Sequence, residues 1–230
     1  MGATFPRNDD VIKALMIDVD GDLVSGRPHD GRHWATTLEA DLGLSFEILQ
    51  AVFFNKYWKD VVTGRADLRE RLAGVLALIA PALSAEQVIT YWFQQDARLN
   101  SELLDDLALL RRGGLKVYLS TNQEHERAQY LMNTLALARR VDGCFYSAAI
   151  GYCKPMAEFF EAVVFKVGLL PRELLLIDDA EENVRAALQN GWFAVQWTGR
   201  DRLPDLLAGI SGSLTALPPR GRAQMSDFDH

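Results

Sequence analysis

The stretch Ala14 to Val24, ALMIDVDGDLV, constrains the chain more than any other. Leu15, Met16 and Ile17 form an apolar run that leads straight into Asp18, a second acid follows at Asp20, and Gly21 lets the backbone turn sharply. The pattern predicts a buried strand that delivers two carboxylates to its C-terminal end. In a parallel α/β sheet that end is where ligands bind. Asp and Gly are also ordinary turn residues, so the motifs further along decide between a turn and a site.

The pattern after this strand divides the chain. SGRPHDGRH interrupts regular structure with Gly26, Pro28 and Gly31 and reads as a hinge. From Trp34 to about Asp96 no strand is expected. Trp34, Leu38 and Leu42 recur at helical spacing, then Phe46, Leu49, Val52, Phe53 and Tyr57, then Leu68, Leu72, Val75 and Ile79. Ser84 with Gln87 makes a capping box for a further helix whose apolar face is Val88, Tyr91 and Trp92. Past Ser101 helices alternate with short apolar strands. A helix over Glu102–Arg112 precedes a strand over Leu115–Leu119 that ends at Ser120; a helix over Glu124–Ala138 precedes a strand over Cys144–Ser147. Pro155 is expected in the first turn of a helix running to Val167. A strand over Leu174–Ile177 ends at Asp178 and Asp179, a helix covers Glu181–Gln189, a strand covers Phe193–Trp197, and a last helix covers Leu203–Ile210. This βα alternation implies a Rossmann-like parallel sheet with helices on both faces. The expected fold is therefore α/β, with a core over 11–27 and 99–210, an all-helical insert over 28–98, and flexible ends at 1–10 and 211–230.

Composition bounds the partners. A formal net charge of −7 argues against a nucleic-acid-binding surface, which needs a basic face. No apolar run is long enough to span a bilayer, and MGATFPRNDD lacks the apolar segment of a signal peptide. The two cysteines, Cys144 and Cys153, lack metal-ligand spacing. A soluble cytoplasmic protein, monomer or homodimer, with reduced thiols is the expectation.

Three strand ends carry the chemistry: Asp18 and Asp20, then Ser120, Thr121 and Asn122, then Asp178 and Asp179. Parallel strands bring these ends into one crevice, which Lys154, before Pro155, is placed to join at a helix N-terminus. Four converging carboxylates repel one another unless a cation shares them. Mg²⁺ fits, as a hard ion with oxygen ligands that is bound alongside substrate phosphate. A carboxylate nucleophile, a divalent cation, a lysine and a hydroxyl suit phosphoryl transfer. In that reading Asp18 attacks phosphorus and Asp20 is general acid and then general base. Ser120, with Thr121, Asn122 and nearby amides, binds phosphate oxygens; Lys154 bridges nucleophile and phosphate; Asp179 holds the metal together with Asp18, and Asp178 helps directly or through water.

The ordered set IDVDGDLV, LSTN, GYCKP and LLIDDAEENVRAA resembles the four motifs of the haloacid dehalogenase-like hydrolases over residues 14 to about 197. The helical insert falls where that family carries a cap after its first motif. The resemblance implies a Rossmann-like core, Mg²⁺, phosphatase activity through an aspartyl phosphate, and a backbone carbonyl of Asp20 on the metal. Its substrate would be a small phosphorylated metabolite. Dehalogenases that resemble this core lack an acid two residues after the nucleophile, so Asp20 favours phosphate chemistry. A phosphomutase or a catalytically idle binding module remains as an alternative. Asp22 stands where the family commonly has Thr, and is expected to face a loop. Helical aromatic stripes are usually core, so Phe53, Phe54, Tyr57 and Trp58 are assigned to packing rather than to a substrate pocket. His29, His33 and His125 are assigned to the surface or hinge, and Cys153 to a buried filler.

Overall fold

The computed structural model describes residues 12–199 and 202–210. Both expected flexible ends, 1–10 and 211–230, lie outside the described residues. The chain opens with strand β1 (Ala14–Ile17) and enters a helical segment of a 3₁₀ turn (Trp34–Thr37), α1 (Leu38–Leu42), α2 (Phe46–Leu49), a π-helical turn (Gln50–Phe54), α3 (Asn55–Val62), α4 (Leu68–Ile79) and α5 (Ala85–Gln95). It continues through α6 (Ser101–Arg112), β2 (Lys116–Thr121), α7 (His125–Gln129), β3 (Gly143–Tyr146), α8 (Ser147–Ile150), α9 (Ala157–Val167), β4 (Leu174–Asp178), α10 (Glu181–Gln189), β5 (Phe193–Gln196) and α11 (Leu203–Ile210).

The five strands form one parallel sheet in the order β3-β2-β1-β4-β5, so β1 is central. Ile17 pairs with Leu119 of β2 on one side and Ile177 of β4 on the other. That register sets the ends of the three strands level, with Asp18 directly beyond Ile17. Each central strand is apolar without a break because both faces are covered. Leu15 and Ile17, Val117 and Leu119, and Leu175 and Ile177 point to one face, where α6 and α11 supply Leu103, Leu107, Leu110, Leu203 and Leu207. The alternate residues Met16, Leu174 and Leu176 point to the other, against Phe159, Phe160 and Val163 of α9 and Ala187 of α10.

The helices between β1 and β2 bury a separate cluster that includes Trp34, Leu38, Phe53, Leu72, Leu76, Trp92 and Phe93. The capping box at Ser84 is present at the start of α5. The segments leaving and re-entering the sheet run side by side. Ser25 N–H donates to the Arg98 carbonyl (3.0 Å), Arg98 N–H to that of Gly26 (3.1 Å) and Asn100 N–H to that of Leu23 (2.9 Å).

Two expected helices differ. The helix over Glu124–Ala138 ends at Gln129 and passes into a π-helical turn over Tyr130–Thr134 and a short 3₁₀ turn over Leu137–Arg139, with Ala136 between them at φ +56°. The break lets Leu131 and Leu137 both reach the core beside the sheet. Pro155 is outside α9: the helix begins at Ala157 with Met156 as its N-cap residue, and the Lys154–Pro155 peptide is cis. Lys154 therefore comes from a loop and not from a helical first turn.

The edge strand β3 is anchored by Asp142, whose carboxylate accepts from Arg111 Nε (3.0 Å), Val117 N–H (3.0 Å) and Lys116 Nζ (3.3 Å). Burial opposes ionisation, but these donors hold the carboxyl down at about 2. A carboxyl depressed by folding adds stability that is present above its ordinary value and lost as pH falls through the folded value. Asp142→Asn is expected to cost about 1 kcal/mol near neutrality. Denaturant midpoints measured against pH should show the gap to wild type closing as pH falls from 3.8 towards about 2.

Candidate active site

Three strand ends and two loops converge beyond the C-terminal edge of the sheet. Asp18 follows β1 directly, its N–H donating to the Ile177 carbonyl (2.9 Å), which fixes it beside Asp178 at the end of β4. Lys154 is buried between them, its Nζ 2.9 Å from Asp18 Oδ1 and 2.5 Å from Asp178 Oδ2. Asp178 is held from its other side by Asn183 Nδ2 (3.0 Å) and Ala180 N–H (3.0 Å). Asn122 clasps the Lys154 backbone twice, accepting from its N–H (2.8 Å) and donating to its carbonyl (2.9 Å). Asn122 thus orients the lysine loop with its own amide.

Ser120 and Thr121, at the end of β2, are fully buried. Ser120 Oγ has no hydrogen-bond partner, while Thr121 Oγ1 lies 3.4 Å from Gln123 Nε2. Gln123 Nε2 donates at 2.6 Å to Oδ2 of Asp20. Asp20 is an exposed residue at a cavity under the helices. The protein packed around its carboxyl, with the Asp18 charge beside it, pushes it up to about 7.

Carboxylates outnumber cations here. Asp18, Asp178 and Asp179 can each place one oxygen within 4.8 Å of the others. Burial raises Asp18 above its ordinary value, opposed by Lys154, and burial with Asp178 raises Asp179. Burial alone would lower Lys154, but Asp18 and Asp178 hold it above its usual value. Asp22 does not face a loop exterior as expected. The turn after β1 closes on itself through Leu23 N–H to the Val19 carbonyl (2.9 Å) and Gly21 N–H to the Val24 carbonyl (3.0 Å), and Asp22 is carried inward. It is 3% exposed, Oδ2 has no partner, and burial with the charges of Asp18, Asp179 and Asp178 pushes it up to about 8. An all-oxygen cluster with this much unrelieved negative charge fits a hard divalent cation. Asp179 and the second oxygen of Asp18 are available to hold one, whereas Asp178 is engaged by both Lys154 and Asn183.

Gln123 and Asn183 were not singled out from sequence. Asn183 carried a signal, since five residues after Asp178 the first turn of α10 folds back over its carboxylate. Gln123 carried none, because only the tertiary fold brings it to Asp20. The aromatic stretch splits. Phe53 is core, but Phe54 and Trp58 line the cavity that reaches Asp20. His29 is exposed; His33 is also exposed and caps the 3₁₀ turn; His125 lies on the surface 3.3 Å from the Tyr146 hydroxyl. Cys153 is half-buried rather than buried.

Residues 12–191 match the haloacid dehalogenase-like hydrolase family. A sesquiterpene phosphatase of Aspergillus oryzae is 26% identical over 190 residues, 81% of this chain and 90% of that protein. Among solved structures, a HAD family enzyme of Bacteroides thetaiotaomicron in its magnesium complex superposes with a TM-score of 0.70 at 22% identity, covering 85% of this chain and 98% of that one. An L-2-haloacid dehalogenase of Xanthobacter autotrophicus superposes with a TM-score of 0.59 at 20% identity, covering 86% and 84%. These two likenesses show the fold.

Gly21 adopts φ +89°, and a Cβ there would collide with Asp179 Oδ2. Gly21→Ala is expected to displace that carboxylate and weaken the binding of any divalent cation this cluster holds by about tenfold to 100-fold, as loss of a supporting group does. Isothermal titration with Mg²⁺ checks this.

Proposed function

The chain belongs to the haloacid dehalogenase-like hydrolases, and from that premise we propose that it is a Mg²⁺-dependent phosphatase acting on a small phosphorylated metabolite through an aspartyl phosphate. The observation that carries the reading is the pair Asp18 and Asp20. One carboxylate is locked against Lys154 at the strand end, and the other opens onto a cavity with a raised pKa. A nucleophile has to be ionised and aimed; an acid has to hold a proton near neutrality. The name of the A. oryzae relative agrees with this chemistry, and the B. thetaiotaomicron neighbour was crystallised with magnesium.

Asp18 attacks phosphorus while the bond to the leaving oxygen breaks, and Asp20 gives that oxygen its proton. Asp20 then takes a proton from water, whose oxygen attacks the same phosphorus; the bond to Asp18 breaks and phosphate leaves. Lys154 offsets the repulsion between the Asp18 carboxylate and the incoming dianion. Ser120 donates its hydroxyl to a phosphate oxygen, a role that its buried, unpartnered Oγ supports. Gln123 steers the Asp20 carboxylate, and Asn122 and Asp178 hold Lys154. Asp18, Asp179 and the Asp20 carbonyl, with Asp178 in support, would hold Mg²⁺, which when bound would supply charge neutralisation of the transferring phosphoryl group. Residues 28–98 act as a cap over a core of 11–27 and 99–210. The two thiols, unpaired in the structure, agree with a cytoplasmic setting.

Purified protein is expected to hydrolyse p-nitrophenyl phosphate with Mg²⁺ and not with excess chelator. Asp18→Asn should lower kcat by about 10³-fold or more with an unchanged circular dichroism spectrum. Turnover of that variant within about tenfold of wild type would remove Asp18 as nucleophile.

A further inference from the structure

We propose that the substrate is the monophosphate ester of an apolar alcohol, whose hydrocarbon part fills an aromatic cavity beneath the helical segment. This rests on the phosphatase reading above and names the substrate class for the same site. The acid that protonates the leaving oxygen has to touch the leaving group, so the alcohol lies in whatever space adjoins Asp20. That space is a cavity of about 490 Å³, floored by Asp20 and Gly21 and walled by Trp34, Phe46, Phe54, Trp58 and Trp92. The volume lies within the range of small-molecule sites, roughly 300 to 1,000 Å³.

The walls form one interlocked set of rings. Trp34 stacks on Trp92 with centroids 5.5 Å apart, Phe54 meets Trp92 edge-on at 5.5 Å, Trp58 meets Phe54 at 5.4 Å, and Phe46 meets Trp34 at 5.5 Å. Rings held by rings present a preformed apolar surface, so little conformational entropy is lost when a hydrocarbon docks.

The charged groups around the cavity disfavour a second anion, and most of its polar groups are already engaged. No lysine or arginine lines it, and its charged members, Asp20 and Asp96, are both acids. A second phosphate or a carboxylate on the substrate would meet repulsion with no cation to offset it. A sugar or nucleobase would need several free polar groups aimed inward. His33 Nδ1 is engaged by Ala35 N–H, Asp96 by Gly26 N–H and Arg127, and the Gln50 amide by Asn55. What is left to bind a leaving alcohol is mainly aromatic surface, with the Ser25 hydroxyl, His33 Nε2 and the Gln50 side-chain carbonyl at its edge.

The test uses the full chain with Mg²⁺ and a series of n-alkyl monophosphates from ethyl to octyl, beside glycerol phosphate, a hexose phosphate and p-nitrophenyl phosphate. A parallel arm needs no turnover: ethyl and octyl phosphonates are titrated against the fluorescence of the cavity tryptophans. The expected result is a kcat/KM that rises about threefold to fourfold per methylene until the cavity is full. Octyl phosphonate should bind at least about 100-fold more tightly than ethyl, and Trp58→Ala should cut the octyl-to-ethyl ratio by about tenfold or more. Hydrolysis with no dependence on chain length, or with the hexose or glycerol ester preferred, would overturn the apolar assignment and leave the phosphatase reading standing. Hydrolysis of no ester, with phosphonate binding still dependent on chain length, would overturn the phosphatase reading and leave the cavity as an apolar ligand site. The wild-type series decides the matter whether or not the Trp58 variant folds.

Discussion

Lys154 buried between Asp18 and Asp178 is the interaction on which the rest of the site depends. It joins the central strand, its neighbour β4 and a loop more than a hundred residues after β1. A buried ion pair is weak evidence for stability, because desolvation costs offset much of the attraction. Its value here is positional. Asp178 and Asn122 fix the lysine that holds the Asp18 carboxylate, while Asp179 on the open side keeps its carboxylate available. The remaining negative charge, visible in the raised carboxyls of Asp20 and Asp22, makes this set of carboxylates electrostatically unfavourable by itself and so suited to a divalent cation.

Much of this was legible in the chain. Strand ends after uninterrupted apolar runs located Asp18, Ser120 and Asp178, since in a parallel sheet the level of one strand end fixes its neighbours. The helical content of the insert followed from periodicity, and Ser84 and Gln87 marked a helix start from local hydrogen bonding alone. What was not legible depended on side-chain direction. Asp22 has the composition of a turn residue, and only the closure of that turn against Val19 and Val24 shows that it points inward. The Glu124–Ala138 pattern reads as one helix because its apolar spacing is helical, yet burying both Leu131 and Leu137 required a break with Ala136 left-handed.

The aromatic residues of the helical segment show why periodicity stops short of specificity. Phe53 and Phe54 are adjacent in sequence, but one is sealed in the helical core and the other reaches the cavity. A helical stripe tells which face is apolar, not whether that face meets protein or ligand. The same cluster therefore does two things: Trp34 and Trp92 hold the helices together, and their exposed edges shape the space above Asp20. Arg127 links this unit to the core, packed between the Phe93 and Tyr130 rings and hydrogen-bonded to Asp96, where the chain returns towards the sheet.

The central claim is that Asp18 carries the phosphoryl group between substrate and water. Acid quenching of wild-type protein during turnover of a phosphate ester, followed by peptide mass spectrometry, tests it directly. The account predicts a phosphorylated peptide containing Asp18 that loses its phosphate in mild alkali and is absent from Asp18→Asn. Steady turnover with no phosphorylated peptide, or with the phosphate on another residue, would contradict it.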